Sequence, residues 1–452
     1  MGYRAYPEYK KARLEWLGNL PKHWECLRLR LLSKRYSGGT PDKKNDLYWQ
    51  DGTIPWLNSG AVNQGVITQP SDFISELGLK ESSAKWVPAD AVIIALAGQG
   101  KTKGTAAITE IKTTCNQSMA AIVFENDHPK YIYWWLHSQY KNIRGMASDD
   151  GRDGLNLEMI GSIPCPRPSN GEQLKIAHFL DYKTAQIDRL IEKKQELIEK
   201  LQEQRIATIT QAVTKGLDSF STLKSSGTDW LGNVPAHWDI LRLRFNVTMS
   251  GGMTPSTTAP QYWEGSIPWV TPKDMKSDRI TSSIDTLTEL ALEETSLQLY
   301  TPGLVLIVVR GMILAHTFPV GVNDVKVTVN QDMKVLSTTL NSEYLAILLR
   351  GFQSVVLSIV EESAHGTKVL RTDLFKDIQL PVPPSHEQEA IVAYIHRVIA
   401  KTDSRVEAVN TAIERLQEYR TALITAAVTG QIDVRNWQTP EPAKEPADKD
   451  VA

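Results

Sequence analysis

Two stretches of this chain place mostly apolar residues at alternating steps of four and three. In the later one they are Ile395, Ile399, Thr402, Val406, Val409, Ile413, Leu416, Arg420, Leu423 and Ala427. Moving back 215 positions gives Leu180, Thr184, Ile187, Ile191, Lys194, Ile198, Leu201, Arg205, Thr208 and Ala212, in the same register. This is a heptad seam. It predicts two long helices, over residues 172–215 and 387–430, with the seam carried by Ile187, Ile191, Ile198 and Leu201 in one and by Val406, Val409, Ile413 and Leu416 in the other. A helix of about 33 residues is about 50 Å long, and two such helices, each with one apolar stripe, bury most by packing on each other. Because the two are repeats, the expected packing is antiparallel about a pseudo-twofold axis, with globular domains at opposite ends. Helices docked separately on their own domains are the alternative.

The rest of the chain has a different texture. Short apolar runs such as "AVIIALA", "AAIVF" and "GLVLIVV" are broken by Gly, Pro, Asn and Ser, which reads as strands and turns. Helical pieces such as "PKYIYWWLHSQYKNI" lie between them. The pattern predicts an α+β domain with a mostly irregular sheet over residues 1–171, and another over 216–386. The Pro-rich polar end, 431–452, predicts a disordered tail.

Both halves are written in the same words. "EWLGNLPKHWECLRLR" (Glu15 to Arg30) returns as "DWLGNVPAHWDILRLR" (Asp229 to Arg244), 214 residues later. In the same order, "SGGTP" returns as "SGGMTP", "YWQDGTIPW" as "YWEGSIPW", "NQSM" as "NQDM" and "LQEQR" as "LQEYR". Glu172-Gln173 returns as Glu387-Gln388. So long a period excludes a solenoid and means two homologous halves. Trp16, Trp24 and Trp56, with their twins Trp230, Trp238 and Trp269, read as framework aromatics. His23 and His237 read as turn residues, since no paired acid or nucleophile stands beside them in the sequence.

Composition narrows the function classes. No apolar run approaches the roughly 20 residues that span a bilayer, and "MGYRAYPEYKKARLEW" has no apolar signal core, so no membrane association is expected. Three cysteines, Cys26, Cys115 and Cys165, stand far apart without CxxC spacing; this argues against a disulfide framework or zinc site and fits a reducing cytosol. The net charge of −2 gives no hint of a polyanionic partner, but "RLRLLSKRYSGGTPDKK" gathers Arg28, Arg30, Lys34, Arg35, Lys43 and Lys44 against one acid, Asp42. That is either a solvated face or a phosphate-facing patch. The stretch "AVIIALAGQGKTKG" imitates a phosphate loop from Ala95 to Thr102. A phosphate loop needs a helix directly after its Lys-Thr, whereas "KTKGTAAITEIKTTCNQ" is rich in β-branched residues and predicts another strand. The equivalent stretch "GLVLIVVRGMILAHT" has Leu314 and Ala315 in place of Lys101 and Thr102. An ATPase reading therefore falls.

From Glu15 to about Asp433 the arrangement resembles the specificity subunit of type I restriction–modification systems (HsdS). The resemblance rests on the paired "W-L-G-x-[LV]-P-x-H-W" openings, the two "IPW" segments and the "P…EQ…IA" entries to the long helices. It implies a DNA-reading subunit of a bacterial or archaeal cytoplasm, without catalysis of its own. Each globular domain would be a target recognition domain reading one half of a bipartite double-stranded DNA site. The helices would act as a spacer and as a dock for two methyltransferase subunits, with restriction/translocase subunits added. S-adenosylmethionine, ATP and Mg would be bound by those partners, and no cofactor or metal by this chain.

Two similar domains suit two half-sites of a duplex. Their framework is shared, yet "IPW" is followed by "LNSGAVNQGVIT" in one half and "VTPKDMKSDRIT" in the other, as reading two different half-sites requires. The expected target is non-palindromic. Arg28, Arg30, Lys34, Arg35, Lys43 and Lys44, with Arg242 and Arg244, are candidate phosphate contacts. Thr40, Asn58, Gln99, Lys101, Lys103 and Arg152 are candidate base readers in the first domain, and Thr254, Thr271, Lys273, Arg310, His365 and Lys368 in the second. The rival readings are weaker. A DNA methyltransferase would need an Asn/Asp-Pro-Pro-aromatic motif, which "PVPPSH" does not supply, and a nuclease assembled from Asp42, Glu110 and Lys112 is poorly spaced. A coiled-coil adaptor without a DNA role would fail to shift a DNA fragment in the presence of its methyltransferase partner.

Overall fold

The computed structural model describes residues 3–12, 17–146 and 154–440. Trp16, Arg152 and the stretch 441–452 lie outside the described residues. The chain divides into two units, one of residues 1–194 with 411–452 and the other of residues 195–410.

In the first unit the run "VIIA" forms strand Val92–Ala95, which is buried on both faces. Alternate side chains therefore serve two cores. Val92 and Ile94 join Ile108, Ile122 and the helix Pro129–Ser138 in one cluster. Ile93 and Ala95 join Leu57, Ile67, Val87 and Cys115 in the other. The sheet runs in the order Ser33–Ser37, Met119–Phe124, Val92–Ala95, Ala106–Thr109, Val66–Ile67. Its pairs are antiparallel except the last, which is parallel. A smaller sheet, Asp72–Ile74, Ile54–Leu57, Thr113–Cys115, Trp86–Val87, covers its far face.

The second unit repeats this topology. Its sheet runs Val247–Gly251, Met333–Thr338, Val305–Val308, Val320–Asn323, Arg279–Ile280, again with only the last pair parallel. Strands Asp285–Leu287, Trp263–Val270 and Thr328–Val329 form the second layer. The expected irregular sheet is thus an ordered one. Its strands are two to eight residues long, too short for periodicity to reveal them. The fold is α+β, with two homologous domains and two long helices.

The long helices run Asn170–Lys215 and Ser385–Val428. All eight seam residues are buried or half-buried, while Glu192, Lys193, Glu199 and Lys200 beside them are exposed. Each unit pairs the early part of one helix with the late part of the other, antiparallel. In the first unit Ile176, Leu180 and Ile187 pack with Leu423, Ile424 and Ala427. In the second, Ala212 and Val213 pack with Ile391 and Ile395. The arginines on the seam bind acids of the facing helix: Arg420 grips both oxygens of Asp188 at 2.9 and 3.2 Å, and Arg205 meets Asp403 at 2.8 Å.

The tail expectation needs correcting for residues 431–437. Val434 is buried in the first unit's core, and Trp437 packs edge-on against Phe179 at 5.3 Å. Two large apolar side chains within four residues give this piece an anchor that its Pro-rich continuation lacks.

Candidate nucleic-acid interface

The repeated words of the sequence are repeated contacts in space. The indole N–H of Trp56 donates to the Gly39 carbonyl at 3.0 Å, and that of Trp269 to the Met253 carbonyl at 3.1 Å. Trp49 stands edge-on to Trp56 at 5.2 Å, and Trp263 edge-on to Trp269 at 5.1 Å. The "IPW" strand thereby fastens the Gly-Gly loop in both domains.

His23 and His237 do have acids, contrary to the sequence reading. His23 Nε2 lies 3.0 Å from both oxygens of Glu172, and His237 Nε2 lies 2.7 Å from Glu387. The acids stand about 150 residues further on, in the first turn of each long helix. The neighbouring glutamines complete the joint. Gln173 donates to the carbonyl of Pro168 and accepts from the His128 N–H, and Gln388 does the same with Pro383 and Asn341. This explains the repeated Glu-Gln pair as a fastening of helix to domain.

Three loops of each domain converge on the Asn-Gln turn. In the first domain Gly39 N–H donates to Cys115 O at 2.8 Å, Asn116 N–H to Leu57 O at 2.9 Å, and Leu96 N–H to Ser118 O at 2.8 Å. These bonds tie in the Gly-Gly loop, the loop after "IPW" and the glycine turn at 97–104. In the second domain Asn330 N–H donates to Val270 O at 3.1 Å and Val309 N–H to Asp332 O at 2.8 Å, while a Cβ on Gly252 would strike the Val329 carbonyl. Cys115, packed beneath the first turn, has its thiol pushed up to about 12 by burial.

Most base-reading candidates fall in this cluster. Thr40 and Thr254 donate their hydroxyl protons to Gln117 and Gln331 at 2.6 and 2.7 Å. Asn58 caps a short turn by accepting from Gly60 N–H at 2.8 Å. Thr271 is buried and bonds Asp274 at 2.8 Å, while Lys273 beside it is exposed. Gln99 and Lys101 are exposed and Lys103 half-buried on the glycine turn, which Arg144 and Tyr140 hold by the carbonyls of Gly100 and Lys101 at 2.7 and 2.9 Å. The strand Ala106–Thr109 follows that turn, not a helix. In the second domain Arg310 bridges to Val369 and Gly311 N–H donates to Lys368 O, which joins this loop to the hairpin that carries exposed His365. Lys368 itself pairs with Glu362 at 2.7 Å.

The basic run divides. Lys43 and Lys44 follow Thr40 and are exposed at the turn-side end of the sheet. Arg28 and Arg30 lie before the other end of strand Ser33–Ser37, roughly 17 Å of strand away, and Lys34 and Arg35 are the second and third residues of that strand. There Arg28 and Arg30 are exposed, and Lys34 pairs with Glu125 at 2.6 Å. Arg35 spends its guanidinium on the carbonyls of Leu29 and Ser33 at 3.2 and 3.0 Å. Burial, with the charge of Arg30, pushes it below its ordinary range. Arg242 and Arg244 take the matching place in the second domain and share Asp377. Sequence reasoning missed Gln117 and Gln331, although the echo of "NQSM" in "NQDM" signalled them. Among the described residues no three of His, Cys, Asp and Glu gather as a metal site, and no helix is long and apolar enough to cross a membrane.

Comparison with known proteins agrees with this geometry. The family model for the type I restriction modification DNA specificity domain matches residues 21–200 and again 237–415. The chain is 26% identical over 326 residues to the type I restriction enzyme EcoR124I/EcoR124II specificity subunit of Escherichia coli, which covers 70% of this chain and 72% of that one. It is 29% identical over 173 residues to the MjaIX specificity subunit of Methanocaldococcus jannaschii, covering 36% of this chain and 38% of that one. Among solved structures it is similar, at a TM-score of 0.71 and 16% identity, to a chain from work on complex assembly and conformational transition of the type I R-M system; the match covers 91% of this chain and 99% of that one. The HsdS subunit from Thermoanaerobacter tengcongensis matches at a TM-score of 0.57 and 17% identity, over 91% and 98%. These structural likenesses speak for a shared fold, and the family model, matching twice and over most of the chain, places this protein in the family of type I restriction–modification DNA specificity subunits.

Proposed function

We propose that each domain reads one half of a bipartite, non-palindromic site in double-stranded DNA, and that the chain docks two methyltransferase subunits and, with them, restriction/translocase subunits. The chain contributes recognition and no catalytic residue. S-adenosylmethionine, ATP and Mg belong to the partners, and the assembly works in the cytoplasm. One observation carries the reading: the same three loops meet at the same Asn-Gln turn in both domains, but bring unlike side chains there. The first domain brings Gln99 and Lys101 on its glycine turn, whereas the second brings Arg310 on the equivalent loop and His365 on the hairpin joined to it. A constant frame with variable donors and acceptors suits two different sequences of base edges. The two relatives compared above, both named as type I restriction enzyme specificity subunits, support the same reading.

The test is single-molecule mapping of methyladenine in DNA exposed to this chain and its methyltransferase partner. The expected result is one motif of two unlike halves with a fixed gap. A palindromic motif, or methylation that does not depend on this chain, contradicts the proposal.

A further inference from the structure

Thr40 and Gln117 are repeated as Thr254 and Gln331, and the repetition extends to geometry. Each pair is separated by 77 residues and joined by one short bond, Thr Oγ1 to Gln Oε1, at 2.6 and 2.7 Å. In both, the threonine is half-buried and the glutamine exposed. Each glutamine stands at the tip of a turn closed by the preceding asparagine: Asn116 Oδ1 accepts from Ser118 N–H at 3.1 Å, and Asn330 Oδ1 from Asp332 N–H at 3.1 Å. The other repeated side chains of the framework pack cores or fasten loops. An exposed bond between two neutral side chains adds little to either purpose, so the fold does not account for its double occurrence.

The chemistry of the pair selects its ligand. The threonine hydroxyl spends its only proton on the carboxamide oxygen and so fixes which way the carboxamide faces. The two N–H donors of the amide are left without a partner among the described residues. Donors held outward seek an acceptor. Because both domains carry the identical device among unlike neighbours, the acceptor must be common to both half-sites. Base edges change from one half-site to the other; phosphodiester oxygens do not, and glutamine N–H to phosphate is an ordinary positioning contact.

We infer that Gln117 and Gln331, each oriented by its threonine, are matched phosphate contacts that set the register of each domain on the duplex. Thr40 and Thr254 are then positioning residues rather than base readers. The inference rests on the DNA-reading function proposed above.

The experiment uses the full chain with Gln117→Ala, Gln331→Ala, the double variant, and Thr40→Val with Thr254→Val. The first probe is a fluorescent duplex of about 40 base pairs of arbitrary sequence, long enough for roughly four turns, titrated at several salt concentrations. Each alanine variant should bind about tenfold more weakly, the worth of one hydrogen bond to a charged acceptor, and the double variant should compound the losses. The slope of affinity against salt should stay at the wild-type value, because a neutral carboxamide releases no counterion; Lys43→Ala, by contrast, should lower it by about one. Thr→Val should lose part of the affinity with an unchanged melting temperature, which a role in folding would not give. Wild-type affinity in the double variant overturns this inference and leaves the DNA-reading function standing. Failure of the wild-type chain to bind any duplex, alone and with its methyltransferase partner, overturns that function itself. On the site found by methyladenine mapping, a loss confined to one base pair would overturn the phosphate assignment in favour of a base contact.

Discussion

A methyl group on Gly252 would stand 1.7 Å from the carbonyl oxygen of Val329, and one on Gly38 the same distance from that of Cys115. The obstacle is backbone that belongs to the strand before each Asn-Gln turn, so it cannot rotate away. Gly252→Ala should therefore cost about 3 kcal/mol or more in its domain, the upper range for overpacking. Gly232 offers a contrast. Its φ of +64° favours glycine, yet nothing lies within 4 Å of an added Cβ, so Gly232→Ala should cost only about 1 kcal/mol. Urea unfolding of the two variants measures both, and equal losses would contradict the argument from close approach. Single residues were legible where their neighbours in sequence explain them, as with the buried Trp24, Trp56, Trp238 and Trp269. They were not where the partner is remote. The acids of His23 and His237 lie in the next long helix, and the hydroxyls that hold Gln117 and Gln331 lie 77 residues earlier.

At the scale of elements, a heptad seam sustained over ten positions has one simple solution, and it locates the long helices to within a few residues. The strands give no such signal, because a two-residue strand such as Val66–Ile67 becomes a strand only by pairing with Ala106–Thr109. Charge pairs mark the register of the helix pair: Asp188 with Arg420 in one unit, Arg205 with Asp403 in the other. The proposed role of the helices as a spacer can be tested without breaking that register. Seven residues inserted after Glu196, with seven more after Thr411, keep the heptad phase in both helices. Each helix gains about 10 Å, equal to about three base pairs of rise. Methyladenine mapping should then show the same two half-sites with a longer gap, while the insertion in one helix alone should slip the seam and lower the melting temperature. An unchanged gap in the double insertion rules out a spacer.

For the whole molecule, the sequence revealed two equal halves but not that the first unit draws on both extremes of the chain. Asp433 N–H donates to the Arg4 carbonyl at 2.7 Å, and the Tyr9 hydroxyl to the Gly430 carbonyl at 3.0 Å. Tyr3 and Trp437 pack edge-on against the same ring, that of Phe179, each at 5.3 Å. In the second unit the corresponding path is one unbroken segment. The first long helix ends at Lys215, turns at Gly216 with a φ of +72°, and runs into the strand Leu223–Ser225. Gly430, with a φ of +69°, makes the same turn. The two connections are equivalent except that one is covalent and the other is held by hydrogen bonds and ring packing, and a short linker between neighbouring ends adds little closure entropy. A chain in which residue 437 is joined to residue 3 by a few glycines and serines, and which is opened between Ser219 and Phe220, should therefore fold. Phe220 is 94% exposed, so cutting there removes no packing. The permuted chain should melt near the parent's temperature and direct methylation to the same two half-sites with the same gap. If it folds but recovers only one half-site, the covalent link between the first long helix and the second domain contributes to recognition, and the two connections are not interchangeable.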